Sequence, residues 1–199
     1  MAPSTTVLQE GAVSAAPSAA RAGTDASAGE QEKRKIALIR TYLTPVWGFL
    51  RRLGLSPADA EDAGQEVFLT AVRKIDAILP GQEKRYLFGI AVRVASRRRR
   101  STRSFTSRAV EMDLDTCEAM SPPSDELVER QQALALLDRA LATLADEMRT
   151  VFILYELEEM SLAEIATVLD APIGTVASRL RRAREQFQKA TRRLQARQP

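Results

Sequence analysis

Apolar residues recur every three or four positions along much of the chain, the spacing that places them on one face of an α-helix. The first series begins after Lys33, and Pro45 is expected to kink or divide the helix that it predicts. A second helix, predicted over residues 57–79, and a third, with an apolar face over residues 87–94, complete a first helical domain at residues 32–103. The first series consists of Ile36, Ile39, Leu43, Val46, Leu50 and Leu53.

The second of these helices has local start and stop signals. Ser56 is a typical N-cap residue, and Pro57 suits the first helical position. The Pro80-Gly81 pair stops a helix, so we expect this one to run to about Leu79. The third helix becomes strongly basic after its apolar face, at Arg97, Arg98, Arg99 and Arg100.

Two stretches lack a periodic pattern. Residues 1–31 are rich in Ala, Ser, Gly, Thr and Pro, which predicts a disordered N-terminal tail. Residues 104–123 carry four acidic residues against one arginine and include a Pro-Pro pair, which predicts a flexible acidic linker. Helical spacing resumes over residues 124–199. The predicted fold is therefore all-α, with two small helical domains joined by a flexible linker.

The segment from Ser161 to Leu180 predicts a helix-turn-helix in the second domain. Ser161 and Glu164 have the spacing of a capping box, in which each side chain accepts a hydrogen bond from the backbone amide of the other residue. Pro172 follows the end of this short helix, and a second helix opens near Gly174. Its outer face is polar and basic, as a recognition helix in the major groove of DNA requires. That face consists of Ser178, Arg179, Arg181 and Arg182.

Charge is segregated along the chain. Lys and Arg total 29 against 26 Asp and Glu, a net charge of only +3, yet the arginines concentrate in residues 93–103 and 179–197. Two cationic surfaces joined by an acidic tether fit a long polyanion that is touched at two places, and duplex DNA is such a ligand. Taken alone, a basic run is also typical of a solvated helix face, and a capping box marks any helix start.

The composition argues against several classes of protein. Histidine is absent, so the usual general base and the commonest metal ligand are both missing. The single cysteine, Cys117, cannot form an intramolecular disulfide or a zinc cluster, and we interpret it as an exposed thiol. Neither a secretory signal nor a membrane span is evident. We therefore expect a cytoplasmic protein without enzymatic activity, cofactor or metal.

Two motifs together resemble the sigma-70 family of bacterial RNA polymerase. Residues 59–68, DAEDAGQEVF, look like the core-polymerase-binding motif of region 2 in that family. Residues 164–184, with Glu164-Ile-Ala, the Pro172 to Val176 segment and Ser178-Arg-Leu, are similar to region 4. Two such domains without a third between them are the layout of the extracytoplasmic-function sigma factors.

The resemblance implies a sigma factor that binds core RNA polymerase, directs it to promoters and helps to melt the DNA. The polymerase-binding residues would lie on the second helix, facing the clamp helices of the largest polymerase subunit. The family commonly has an anti-sigma factor that clamps both domains, so we expect one here as well. The implied polymerase-binding residues are Asp62, Gln65, Glu66 and Phe68.

The same resemblance implies two groups of DNA-binding residues. Tyr86, where the family usually has tryptophan, would stack with unpaired bases of the minus-ten element, together with Lys84 and Arg85. The phosphates of that element would be bound by Arg93, Arg97, Arg98, Arg99 and Arg100. The minus-thirty-five element would be read by Thr175, Ser178, Arg179, Arg181 and Arg182.

The leading alternative is an autonomous helix-turn-helix repressor or activator. Such a protein would use the same C-terminal domain but leave residues 62–68 as an ordinary exposed helix face. These regulators commonly dimerise, and no additional apolar helix for that purpose is evident after Leu180. The sequence contains no recognisable catalytic constellation, which argues against an enzyme. A helical interaction scaffold is the remaining alternative.

Overall fold

A computed structural model describes the backbone of residues 19–105 and 125–196 and the side chains of residues 29–101 and 129–196. Within these ranges the chain is helical and contains no β-strand, which confirms the all-α fold class. The predicted linker and Cys117 fall largely or wholly outside the described residues. The helices are α1 (Ala19–Arg52), α2 (Pro57–Arg73), α3 (Glu83–Phe105), α4 (Asp125–Ala142), α5 (Asp146–Phe152), α6 (Leu162–Leu169) and α7 (Ile173–Gln195), with a 3₁₀ turn at Ile75–Ala77 and a π-helical turn at Ile153–Leu157.

Helices α1, α2 and α3 pack into a bundle, which we call the first bundle. Its centre holds Phe49 and Phe88, both fully buried, whose rings meet edge to face with centroids 4.9 Å apart. The buried face of α1 differs from the predicted stripe, because Leu38 is buried while Ile36 and Leu43 are 43% and 53% exposed. The described part of α1 therefore leaves Ile36, Leu43 and Trp47 exposed on the surface of the bundle.

Two predictions about α1 are corrected by the structure. The helix begins at Ala19, inside the predicted disordered tail, and its alanine-rich start favours a helix by propensity. Residues 1–18 lie outside the described part of the chain. Of the two outcomes predicted at Pro45, division of the helix is wrong, because α1 continues through it to Arg52, and a kink stays a prediction.

Helix α2 begins as predicted and ends earlier. Ser56 Oγ accepts a 3.1 Å hydrogen bond from the Asp59 amide, and Pro57 is the first helical residue. The helix stops at Arg73 instead of near Leu79. The chain then tightens into the 3₁₀ turn, which buries Ile75 and Ile78 in the core at 2% exposure each.

The remaining helices, α4 to α7, form the second bundle around α7. The predicted helix-turn-helix is present as α6 and α7, and both hydrogen bonds of the capping box are made at the start of α6. The Glu164 amide donates to Ser161 Oγ at 3.3 Å, and the Ser161 amide donates to Glu164 Oε2 at 2.9 Å. Asp170 then adopts the left-handed conformation (φ 49°, ψ 52°) that ends α6.

The two bundles are in contact with each other, mainly through α3 and α6. Buried residues from both bundles form one continuous apolar cluster. In the described part of the chain, no helix combines the length and apolar character needed to cross a membrane.

Candidate polymerase and nucleic-acid interfaces

The exposed face of α2 carries the residues predicted to bind polymerase. Asp62 and Gln65 are exposed and Glu66 is half-buried, whereas Phe68 is only 7% exposed. Phe68 is therefore not a projecting anchor. Instead it contributes to an apolar groove of about 470 Å³ between α1 and α2. The other residues that line the groove are Leu43, Thr44, Trp47, Glu61, Gly64 and Gln65.

Sequence reasoning missed the part that α1 plays in this groove. Leu43 and Trp47 are 53% and 38% exposed, which is unusual for large apolar side chains. One feature of the sequence could have indicated this groove. Helix α1 carries more apolar residues than its neighbours in the bundle can cover. Gly64 also lines the groove, and a methyl group there would lie 4.0 Å from Leu50 Cδ1, an ordinary contact distance.

The carboxylates of α2 are paired with arginines of α3. Arg98 Nη1 lies 3.7 Å from Asp62 Oδ2 and 3.7 Å from Asp59 Oδ1, and its Nη2 lies 4.0 Å from Glu66 Oε2. Arg97 also donates a hydrogen bond to Glu66. Residues predicted for polymerase and residues predicted for DNA phosphates thus form one ion-pair network.

Arg99 faces the second bundle. Its Nη1 lies 3.3 Å from Asp146 Oδ1 at the start of α5 and donates a 3.1 Å hydrogen bond to the carbonyl of Leu53. Its side chain is 15% exposed, in contrast to Arg93 and Arg100, which lie on the exposed surface. The basic run on α3 therefore divides into arginines that bind the protein itself and arginines that face solvent.

The residues predicted for the minus-ten element lie at the start of α3. Lys84 Nζ donates a hydrogen bond to the backbone carbonyl of Glu158 in the second bundle. Arg85 is half-buried, and Tyr86 packs against the apolar cluster with part of its ring accessible. Burial raises the pKa of the Glu158 carboxyl, while the nearby Lys84 ammonium opposes that rise.

The outer face of α7 carries the residues predicted to read the minus-thirty-five element. Ser178 is exposed and donates a 2.9 Å hydrogen bond to the carbonyl of the half-buried Thr175. Arg181 pairs with Glu185 one turn later at 2.7 Å, and Arg182 is exposed. Arg179 differs from these residues, because its Nη2 lies 3.5 Å from Glu147 Oε2 of α5.

A groove of about 550 Å³ lies between the two bundles and brings basic residues of both together. Arg93, Arg99 and Arg100 of α3 line one side, and Arg179 of α7 lines the other. Acidic residues of the second bundle are interspersed with them: Asp146, Glu147 and Asp170.

Comparison with known proteins identifies both halves of the chain. Residues 38–105 match Sigma-70 region 2, and residues 134–187 match Sigma-70, region 4. The ECF RNA polymerase sigma-E factor of Haemophilus influenzae is 31% identical over 161 residues, which cover 76% of this chain and 84% of that protein. The ECF RNA polymerase sigma factor SigE of Mycolicibacterium smegmatis is 29% identical over 150 residues, which cover 75% of this chain and 58% of that protein.

The fold is also similar to that of a solved sigma factor. RpoE of Bartonella quintana, determined in complex with the anti-sigma factor NepR, superposes with a TM-score of 0.61 at 23% identity, covering 77% of this chain and 94% of that one. The chain belongs to the sigma-70 family. Within that family it is an extracytoplasmic-function sigma factor, the kind of subunit that directs RNA polymerase to start transcription.

Proposed function

We propose that this sigma factor binds core RNA polymerase through the exposed face of α2 and the groove beside it. The observation that carries this proposal is the row of Asp62, Gln65 and Glu66 next to an open apolar groove. Carboxylates bind arginine and lysine strongly, and a central apolar contact surrounded by polar groups is the usual anatomy of a protein interface. A basic helix with an apolar side chain on the same face fits this surface.

Polymerase binding on this surface competes with contacts inside the protein. Arg97 and Arg98 already satisfy part of the charge of Asp62 and Glu66. All of these side chains are at least partly exposed, so the internal pairs are weak and readily exchanged. A basic partner would replace them at little expense in free energy.

We propose that promoter DNA is bound by α3 and α7. The exposed Arg93 and Arg100 are the arginines of α3 best available to phosphates, and Tyr86 supplies an aromatic ring at the start of that helix for an unpaired base. On α7, Ser178 and Arg182 are exposed where a recognition helix faces the major groove.

We further propose that the protein acts as a polymerase subunit in the cytoplasm, without a catalytic step of its own. An anti-sigma factor is proposed as a second partner, since the related RpoE was solved in complex with one. A partner that covers the α2 groove would exclude polymerase from the same surface.

The experiment that tests the polymerase surface is the paired substitution Asp62→Arg with Gln65→Ala. We expect affinity for core polymerase to fall by about tenfold or more, because like charges then face each other across the interface. Fluorescence anisotropy with labelled protein measures the affinity, and binding of duplex promoter DNA by the second bundle is expected to be unchanged.

A matched control is available on α4. Glu129→Arg with Gln132→Ala makes the same chemical change at the same spacing on an exposed helix face far along the chain. It is expected to leave polymerase binding as it is. Equal affinity of wild type and the Asp62→Arg, Gln65→Ala protein would refute the proposed surface.

A further inference from the structure

The chain enters α3 through a β-turn formed by Leu79, Pro80, Gly81 and Gln82, which we call the entry turn. The Gln82 amide closes it with a 3.0 Å hydrogen bond to the carbonyl of Leu79. Gly81 has a φ of 79°, which the third residue of a type II turn requires and which favours glycine. The Tyr86 amide then donates a 3.0 Å hydrogen bond to the Gln82 carbonyl. The entry turn is therefore continuous with the first turn of the helix that carries Tyr86.

Arg34 of α1 joins the two ends of the entry turn. Its Nη2 donates a hydrogen bond to the carbonyl of Ile78, the residue just before the turn. The same nitrogen donates a 3.1 Å hydrogen bond to Oε1 of Glu83, the first residue of α3. These partners lie 44 and 49 positions away along the sequence, so both contacts are tertiary. One guanidinium thus fixes where the turn begins and where it ends.

The Glu83 carboxylate connects that guanidinium to the middle of the entry turn. It accepts hydrogen bonds from its own backbone amide and from the amide of Gly81, as well as from Arg34. Burial by itself would raise the pKa of the Glu83 carboxyl, but these hydrogen bonds and the charge of Arg34 outweigh burial and lower it. The carboxylate is therefore ionised at neutral pH and can hold both donors.

A second contact from α1 supports the same region. Gln31 Nε2 donates a 2.8 Å hydrogen bond to Asp76 Oδ1 in the 3₁₀ turn, and Gln31 lies one helical turn before Arg34. The side chains of Arg34 and Glu83 are only 32% and 21% exposed, so salt screens their pairing less than it would screen a fully exposed pair. Two residues of α1 thus hold the segment that leads into α3.

We infer that Arg34 is a positioning residue for the minus-ten site, because it holds the entry turn in the conformation that receives an unpaired base together with Tyr86. This inference rests on the proposed function and adds to it a residue that acts without touching DNA. Leu79 is 69% exposed, and the space around Gly81 is open. An unstacked base is held by aromatic and apolar surfaces, and selectivity among bases needs those groups in fixed positions.

Selection of promoter DNA by the holoenzyme tests the inference. Core polymerase and the full chain are mixed with a DNA library that is randomised over both promoter elements, and the bound DNA is sequenced. For Arg34→Ala we expect base preference at the unpaired minus-ten positions to fall by about fivefold or more. Preference in the duplex minus-thirty-five element should stay unchanged. A loss of stability alone would reduce the amount of bound DNA without changing which bases are selected.

Three further variants separate positioning from other effects. Arg34→Lys keeps a cation with several donors and is expected to recover most of the minus-ten preference. Arg40→Ala removes another exposed arginine of α1 and should behave as wild type. Gly81→Ala should reproduce the loss seen in Arg34→Ala, because alanine disfavours a φ of 79° while the open space around this position leaves nothing for its methyl group to clash with.

Hydrogen exchange in the free, full-length protein measures the entry turn without polymerase. Followed by NMR, exchange of the Gln82 amide is expected to quicken by about tenfold in Arg34→Ala and to stay at the wild-type rate in Arg40→Ala. Unchanged exchange at Gln82, or an Arg34→Ala holoenzyme that keeps its minus-ten preference or loses preference equally in both elements, would overturn the inference. If the wild-type holoenzyme selected no sequence, the failure would fall on the proposed function, and the exchange rates would still decide whether Arg34 orders the turn.

Discussion

Arg98 Nη1 lies 3.7 Å from Asp62 Oδ2, although the two residues belong to surfaces that the sequence assigns to different partners. Asp62 is predicted to bind polymerase, and Arg98 is predicted to bind DNA phosphates. If both proposed surfaces bind their partners, this contact couples α2 to the end of α3. Arg98 would then modulate the charge that Asp62 presents to polymerase.

Removing Arg98 should therefore strengthen polymerase binding. In Arg98→Ala, Asp62 and Glu66 lose an internal competitor, and we expect affinity for core polymerase to rise by about two- to fivefold at low salt, within the usual range for an exposed ion pair. The gain should shrink as salt is added. Anisotropy titrations at two salt concentrations measure both effects.

The control for that experiment is Arg73→Ala, which removes an exposed arginine from the last turn of α2. It is expected to change polymerase affinity little. A loss of affinity in Arg98→Ala would contradict this account and would make Arg98 a direct contact of the partner.

Gly64 offers a test of the local stability of α2. It lies inside the helix, and a methyl group at this position would meet only Leu50 Cδ1, at the ordinary contact distance of 4.0 Å. Because glycine has a lower helix propensity than alanine, we expect Gly64→Ala to raise the free energy of unfolding by about 0.5–1 kcal/mol. Urea denaturation followed by circular dichroism measures the change, and a destabilised variant would show that the site is more crowded than the structure indicates.

The capping box predicts a stability that depends on pH. Hydrogen bonds from the Ser161 hydroxyl and the Ser161 amide hold the pKa of Glu164 below its ordinary value. Since the pKa is lower in the folded state, the contribution of Glu164 is present above its unfolded pKa of about 4.5 and is lost as pH falls through the folded value.

Ser161→Ala should reduce the free energy of unfolding by about 1 kcal/mol at neutral pH, as for other N-caps. The difference from wild type should shrink in acid, where Glu164 is protonated in both proteins. Ser161→Thr keeps a hydroxyl and is expected to retain most of the stability. Thermal denaturation at neutral and acidic pH checks this, and a Ser161→Ala difference that stayed constant in acid would argue against the pH linkage.

Arg179 should affect promoter choice without affecting polymerase binding. Its side chain lies on α7, the proposed recognition helix, with its Nη2 3.5 Å from Glu147 Oε2. If it reads a base edge, Arg179→Ala should reduce discrimination between promoter sequences by about 1–3 kcal/mol. Competition binding with variant minus-thirty-five sequences measures this, with Gln186→Ala, at an exposed position of the same helix, as the control. Unchanged sequence preference would remove Arg179 from the readout.

Local features of the fold could be predicted from the sequence because they depend on neighbouring residues. The N-caps at Ser56 and Ser161 each involve a residue three positions later, and both form as predicted. The end of α2 could not be predicted in this way. It is decided by the burial of Ile75 and Ile78 against other helices, and that tertiary packing outweighs the helical pattern that continues to Leu79.

The two motifs of the candidate site could be predicted from the sequence, but the contacts between their side chains could not. The pairing of Arg97 with Glu66 and that of Arg99 with Asp146 join residues far apart in sequence, and single-chain periodicity carries no information about such contacts. The apolar groove depends on Leu43 staying exposed, although it falls on the apolar stripe predicted for α1. Only the packed bundle shows which side of that stripe is covered.

Transcription by purified core RNA polymerase, with and without this protein, tests the central claim most directly. The account predicts discrete transcripts from a genomic promoter library only when both components are present, and their loss with the Asp62→Arg, Gln65→Ala variant. A protein that bound promoter DNA tightly and specifically by itself, yet never supported initiation by core polymerase, would be an autonomous regulator and would contradict the account.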